Sequence, residues 1–173
     1  MKTILKTIVA AIVSGVLTPC DSLGLSERYR HSFTYNLKTI IDSKAAYVWG
    51  GAESEQKGLD CSGYIYLAAR RSGMPVKRTT ALFMERGLGG WSGKQLRLED
   101  CEETDLIWWT WKTSPSRVHG HVGVFLVDRD SGLLEVTHAS SGKGVVIQPL
   151  TGKLLRDMSS IRRLTIGDTR PED

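Results

Sequence analysis

Tyr47-Val48-Trp49-Gly50-Gly51 and Gly58-Leu59-Asp60-Cys61-Ser62-Gly63 are the stretch on which the reading of this chain turns. A glycine-rich loop, Gly50 to Leu59, delivers a cysteine to the first turn of a segment with helical spacing. That helix is expected from Cys61 to Arg71, with Ile65, Ala68 and Ala69 inward and a stop at Gly73-Met74-Pro75. The unpaired N–H groups of a helix N-terminus favour a thiolate and can donate to an oxyanion. Small residues at Ser62 and Gly63 are expected to let a substrate backbone approach. Taken alone, Cys61 reads equally well as a small buried apolar residue, the usual fate of a free cysteine.

The segments around the loop place it in a fold. Upstream, Tyr35 to Ala46 reads as a helix with Leu37, Ile40 and Ile41 on one face and Asn36 near its start. Downstream, Ala81 to Arg86 reads as a short helix before a Gly-rich stretch, Gly87 to Gly93. The period then changes. Leu106–Trp111, His121–Val127, Leu134–Thr137, Gly144–Gln148 and Ile161–Ile166 are rich in β-branched and aromatic residues and read as strands. Helices first and strands after predict an α+β domain, its nucleophile helix packed on a mainly antiparallel sheet of about five strands.

The histidines give Cys61 a chemical context. His121 shares a strand face with Gly123 and Phe125, opposite Val122, Val124 and Leu126. If Val127 pairs with Gly132 across a four-residue loop, His121 falls directly opposite His138 on one face. Opposed side chains have Cβ atoms ~5 Å apart, within reach of a hydrogen bond between imidazoles. Cys61 is then the candidate nucleophile, His121 the candidate base and His138 the group that orients the base. A zinc site on His119, His121, His138 and Cys61 is the rival, but there is no HExxH, no CxxC and no acidic ligand at a suitable spacing. No metal and no other cofactor are expected. Trp108, Trp109 and Trp111 read as core or as a sugar-stacking platform. Cys101, within Glu99-Asp100-Cys101-Glu102-Glu103, sits among charges that disfavour its thiolate. Both Cys61 and Cys101 are expected to be free thiols.

Composition narrows the class further. The 173 residues suffice for one domain with a real core and are too few for two of ordinary size. The net charge is +4, from 23 basic residues against 19 acidic ones. Loss of Lys2 and Lys6 with a leader would leave 21 against 19, or +2. That balance, with no basic stripe interleaved with aromatics, gives no basis for nucleic-acid binding. Residues 1–20 read as a secretory leader, a basic start, an uncharged run from Thr7 to Leu17 and a polar exit. The run is too short to cross a ~30 Å hydrocarbon core. Leu17-Thr18-Pro19-Cys20 also resembles a lipoprotein box, though Pro19 departs from it, in which a lipidated Cys20 would be a membrane tether. An apolar helix packed on the domain is the remaining reading. Export to the periplasm or cell envelope follows from the leader, with residues 21–173 as one domain acting as a monomer.

Tyr47-Val48-Trp49-Gly50-Gly51, Gly58-Leu59-Asp60-Cys61-Ser62-Gly63, Asp105-Leu106-Ile107, His121-Val122-Gly123-Val124-Phe125 and Thr137-His138-Ala139-Ser140-Ser141 together resemble the NlpC-like cell-wall peptidases. The resemblance covers about residues 35–166 with the motifs in family order. It implies a papain-like α+β fold and cleavage of peptidoglycan stem peptides, commonly between D-glutamate and a diamino acid. It also implies Cys61 as nucleophile, His121 as base and His138 as the third polar residue. Tyr47 matches a tyrosine lining the active site, and Asp60 and Ser62 match residues flanking the nucleophile, so these three are expected to meet substrate. The chain departs from the pattern at Thr104-Asp105, where the family usually has Gly-Asp, and only loosely follows Leu-Pro-Arg in Pro75–Thr80. A thiolate, a base and an oxyanion hole serve any acyl transfer, so an amidase or acyltransferase is the enzymatic alternative. A catalytically idle wall-binding protein is the alternative of another class.

Overall fold

The computed structural model describes residue 25, residues 27–128 and residues 130–165. The leader, Cys20 and the last residue of the strand expected to end at Ile166 lie outside the described residues. The order is α1 (Glu27–Asp42), α2 (Cys61–Arg71), α3 (Ala81–Glu85), β1 (Gly93–Gln95), β2 (Leu106–Ser114), β3 (Arg117–Val127), β4 (Leu134–Ser140), β5 (Gly144–Pro149), α4 (Gly152–Arg156) and β6 (Met158–Leu164). The strands form one antiparallel sheet in the order β1-β6-β2-β3-β4-β5. The expected α+β architecture is therefore found, with six strands rather than about five. β1, only three polar residues long, has no apolar alternation to announce it.

Alternation along β2 and β3 separates two cores. Leu106, Trp108, Val122, Val124 and Leu126 face the helices and pack with Phe33, Leu37 and Ile40 of α1 and Tyr64, Ile65 and Leu67 of α2. Ile107, Trp109, Phe125 and Val136 face the other way, against Leu154 of α4 and Met158. Between α1 and the sheet, α2 is buried almost all round, on more faces than its expected inward stripe. Asn36 joins α1 to the end of α2 by donating to Ser72 Oγ at 3.0 Å, and Tyr64 Oη meets Thr137 Oγ1 of β4 at 3.0 Å. These contacts fix where the first turn of α2 meets the sheet.

α1 differs from its expected span of Tyr35–Ala46. It begins at Glu27, so Asn36 lies mid-helix, and it ends at Asp42 with Lys44 in the left-handed region at φ 54°. Thr104 is also left-handed, at φ 77°. That conformation suits glycine and costs a β-branched residue about 1–2 kcal/mol, which gives a physical reason for the glycine usual at this place. The turn is held nonetheless: the adjacent Asp105, 1% exposed, takes two 3.0 Å bonds from Arg163.

Candidate active site

The turn that carries Cys61 is built by Asp60. Extended backbone at Asp60 makes it the N-cap of α2, and its Oδ1 accepts from Gly63 N at 2.6 Å and Ser62 Oγ at 2.9 Å. Its Oδ2 accepts from Gly50 N at 3.0 Å and from Arg78 Nη2 at 2.7 Å. One carboxylate thus ties the glycine loop, the helix start and a distant arginine together. Such a cap contributes on the order of 1 kcal/mol, and the charge-assisted bonds add to it. Arg78 also donates to Ser62 Oγ at 2.8 Å. Gly63 serves a purpose other than the expected approach of substrate: a Cβ there would lie 1.9 Å from the carbonyl oxygen of Gly51. The absent side chain admits the loop backbone.

β3 supplies the next part. Phe125 exchanges backbone bonds with Thr104 and Asp105 on the β2 side, Phe125 N to Asp105 O at 2.9 Å and Thr104 N to Phe125 O at 2.9 Å. By alternation, Val124 and Val122 point their N–H groups toward β4. The β3–β4 ladder runs from Val127–Leu134 only to Val124–Thr137. Beyond it the Val122 N–H is free, and it approaches the Cys61 sulfur together with the Ser62 N–H. Cys61 therefore enters from the helix face where two strands part.

The expected register was off by two. Val127 pairs with Leu134, not Gly132, across six residues rather than four. The shift is even, so both histidines stay on one face, and they meet diagonally rather than directly opposed. His121 Nε2 lies 2.8 Å from His138 Nδ1, with the rings edge-on at 89°. Gly123 makes room: a Cβ there would lie 2.9 Å from Val136 Cγ1 and 3.3 Å from the Trp109 ring. Trp109 lies 5.5 Å from His121 and 6.1 Å from His138 between centroids. A cleft of about 590 Å³ brings Cys61, His121 and His138 together with Tyr47, Trp49 and Trp111.

Of the remaining expected site residues, Tyr47 lines this cleft, half-buried. Its hydroxyl is pushed above its ordinary pKa by burial, then by Cys61 and Asp60. Asp60 and Ser62 are 7% and 3% exposed, and their oxygens are engaged as described above. Arg78 escaped the sequence reading; only the departure from Leu-Pro-Arg pointed to its segment. Of the three tryptophans, Trp108 is core and Trp109 nearly so, whereas Trp111 is half exposed. Trp111 stacks on His119 at 5.5 Å, and His119 Nε2 bonds Thr113 Oγ1 at 2.9 Å. His119 lies within β3, which begins earlier than expected. Cys61 and Cys101 are free, and burial, then Asp105, pushes the Cys101 thiol up to about 12.

Burial also sets the resting charge of the site. It pushes the Cys61 thiol up to about 11, with Asp60 adding to it against the Val122 and Ser62 N–H groups. It holds His121 down to about 4, with His138 acting in the same sense, and lowers His138 too. A neutral thiol thus rests beside two neutral imidazoles. The unfolded chain binds a proton at His121 below its ordinary value of about 6.5, while the folded protein refuses it until about 4. Stability is full above that upper value and falls as pH drops through the interval, by on the order of 3 kcal/mol from His121. Urea denaturation between pH 7.5 and 4.5 is expected to show this loss. His121→Asn is expected to flatten it, and an unchanged slope would refute the account.

Among characterised proteins, a γ-D-glutamyl-L-lysine dipeptidyl-peptidase of Bacillus subtilis (strain 168) is 27% identical over 119 residues, 68% of this chain. The chain spans 36% of that relative's length. A Staphylococcus aureus protein described as similar to lipoprotein, of the NLP/P60 family, superposes with a TM-score of 0.61. It is 20% identical, over 87% of this chain and 46% of its own. The P60 domain of a M. avium paratuberculosis antigen gives a TM-score of 0.54 at 13% identity, over 79% of this chain and 96% of that domain. These two likenesses carry the fold. The NlpC/P60 family profile matches residues 44–163, from the base of the glycine-rich loop to the last strand, and the chain belongs to that family.

Proposed function

We propose that this protein is an exported cysteine endopeptidase that hydrolyses an amide bond in peptidoglycan stem peptides, at the γ-D-glutamyl–diamino acid linkage. The observation that carries the reading is the cleft shared by Cys61 and a histidine pair joined at 2.8 Å. The linkage is suggested by the printed activity of the Bacillus relative. Export is supported by the leader pattern of residues 1–20, and residues 21–173 would be the catalytic domain.

His121 Nε2 is spent on His138, so Nδ1 is the ring nitrogen left to serve the sulfur. In the reaction the Cys61 sulfur bonds to the scissile carbonyl carbon as His121 takes the thiol proton. The resting pair is neutral, so proton transfer accompanies attack rather than preceding it. The carbonyl oxygen gains charge, and the N–H of Cys61, at the start of α2, is the donor proposed to meet it. Collapse breaks the C–N bond as His121 returns its proton to the departing amine. Water, giving a proton to His121, then adds to the thioester and frees the carboxylic acid and the thiol. Tyr47 borders the stem, while Asp60 and Ser62, both buried, bear on it through the Cys61 turn that they hold together with Arg78.

Digestion of purified peptidoglycan with mass analysis tests the reading. The expected products are muropeptides that stop at D-glutamate and free peptides that begin with the diamino acid. Loss of the whole stem would mark an amidase, an added acyl mass a transferase, and intact wall an idle site; each refutes the proposal.

A further inference from the structure

His121, His138 and Gln148 stand on three adjoining strands, β3, β4 and β5, and on one face of the sheet. In β4–β5 pairing, His138 is directly opposite Val146 and Gln148 opposite Val136, so His138 and Gln148 are diagonal neighbours. The Gln148 amide nitrogen lies 3.4 Å from His138 Nε2, the ring nitrogen not used toward His121. Gln148, half-buried, does not itself line the cleft and meets it through His138. Its effect on the site runs through the imidazoles.

A neutral imidazole carries one N–H and one lone pair, so in a row of two rings the choice at one end dictates the choice at the other. When the amide nitrogen faces His138, Nε2 of that ring accepts and its proton sits on Nδ1. His138 Nδ1–H then donates to His121 Nε2, and the His121 proton is left on Nδ1. Nδ1 could not then take a proton from the thiol. A half-turn of the amide about its last bond presents the oxygen in the same place. His138 Nε2–H now donates, His138 Nδ1 accepts from His121 Nε2–H, and His121 Nδ1 holds a lone pair.

We propose that Gln148 is a positioning residue which, with its amide oxygen turned to His138, selects the tautomer of both rings that lets His121 act as a base. The proposal deepens the reading of Cys61 and His121 as nucleophile and base, and rests on it. No bond is made or broken by Gln148; it decides where two protons lie before the reaction begins.

The test compares acceptor, donor and neither at one position: Gln148→Glu, Gln148→Lys and Gln148→Met, assayed at about pH 8.5 so that both imidazoles stay neutral. With the stem peptide as substrate, Gln148→Glu is expected to keep kcat within about fivefold, Gln148→Met to lose roughly tenfold and Gln148→Lys roughly 100-fold or more, all at unchanged KM. In the free protein labelled with 15N-histidine, His121 Nδ1 is expected to be unprotonated in the parent and in Gln148→Glu, and protonated in Gln148→Lys. Equal kcat in the three variants, or a protonated Nδ1 in the parent, would overturn the proposal. The nitrogen spectra need no substrate. If the wall is not cleaved at all, the proposed activity fails while the spectra still decide the role of Gln148.

Discussion

A Cys61→Ala variant is expected to lose wall hydrolysis by roughly 10⁴-fold or more while unfolding within about 1.5 kcal/mol of the parent. The two halves of that result have separate causes. Cys61 is 7% exposed and in contact with the helix-side core, so the change removes one buried sulfur and leaves a small void. The cap on Asp60, the packing of Tyr64 and the diagonal histidine pair do not involve the sulfur, so the fold keeps its supports. The chemistry has no such reserve, because among the described residues no other thiol lies in the cleft and Cys101 packs with the opposite core. His121→Ala is expected to cost about as much, and the double variant little more than either alone, since the two act as one unit. Product mass spectra over a long digestion give the measurement. Retained cleavage in Cys61→Ala would end the thiol mechanism.

The parts of this arrangement differ in how plainly they were written in the chain. The α2 start was legible because its signals are local, a glycine-rich loop running into helical spacing at Cys61, although the capping role of Asp60 emerged only in the structure. The shared face of His121 and His138 was legible because strand faces alternate, and an even error in register leaves parity intact. The register itself was not, since hairpin length depends on how the turn at Asp128 folds; its side chain accepts from Asp130 N and Ser131 N at 3.2 Å each. The first turns of α1 were missed because Glu27, Arg28, Arg30, His31 and Ser32 are polar, leaving Tyr29, which packs on the core four residues before Phe33, as the only apolar signal there. Arg78 and Gln148 belong to a third kind. Each is placed by contacts with residues distant in the chain or across the sheet, Asp60 and Ser62 in one case and His138 in the other. No local spacing encodes such a contact.

Gly63→Ala is expected to be the most damaging of the small substitutions, costing on the order of 3 kcal/mol or more and most of the activity with it. Gly63 is in the first turn of α2, where an alanine would ordinarily favour the helix by nearly 1 kcal/mol. Here the added carbon would lie 1.9 Å from Gly51 O and 2.9 Å from Gly51 C. Both neighbours are backbone, so no rotamer change relieves the overlap. Gly51 cannot simply retreat, because its carbonyl accepts from Asp60 N at 3.0 Å and its N–H donates to Val48 O at 2.9 Å. Its own side is also closed, with Gly58 O where its Cβ would be, at 2.3 Å. The helix start must therefore move, and Cys61 moves with it, away from the Val122 N–H and the imidazoles. Gly142→Ala is the control: its added carbon would meet nothing within 4 Å. That variant is expected to unfold within about 0.5 kcal/mol of the parent, with hydrolysis unchanged. Urea midpoints for the two variants read the difference. A Gly63→Ala protein as stable as Gly142→Ala would mean that the loop is not locked onto α2, and Cys61 would then be held by something other than this backbone contact.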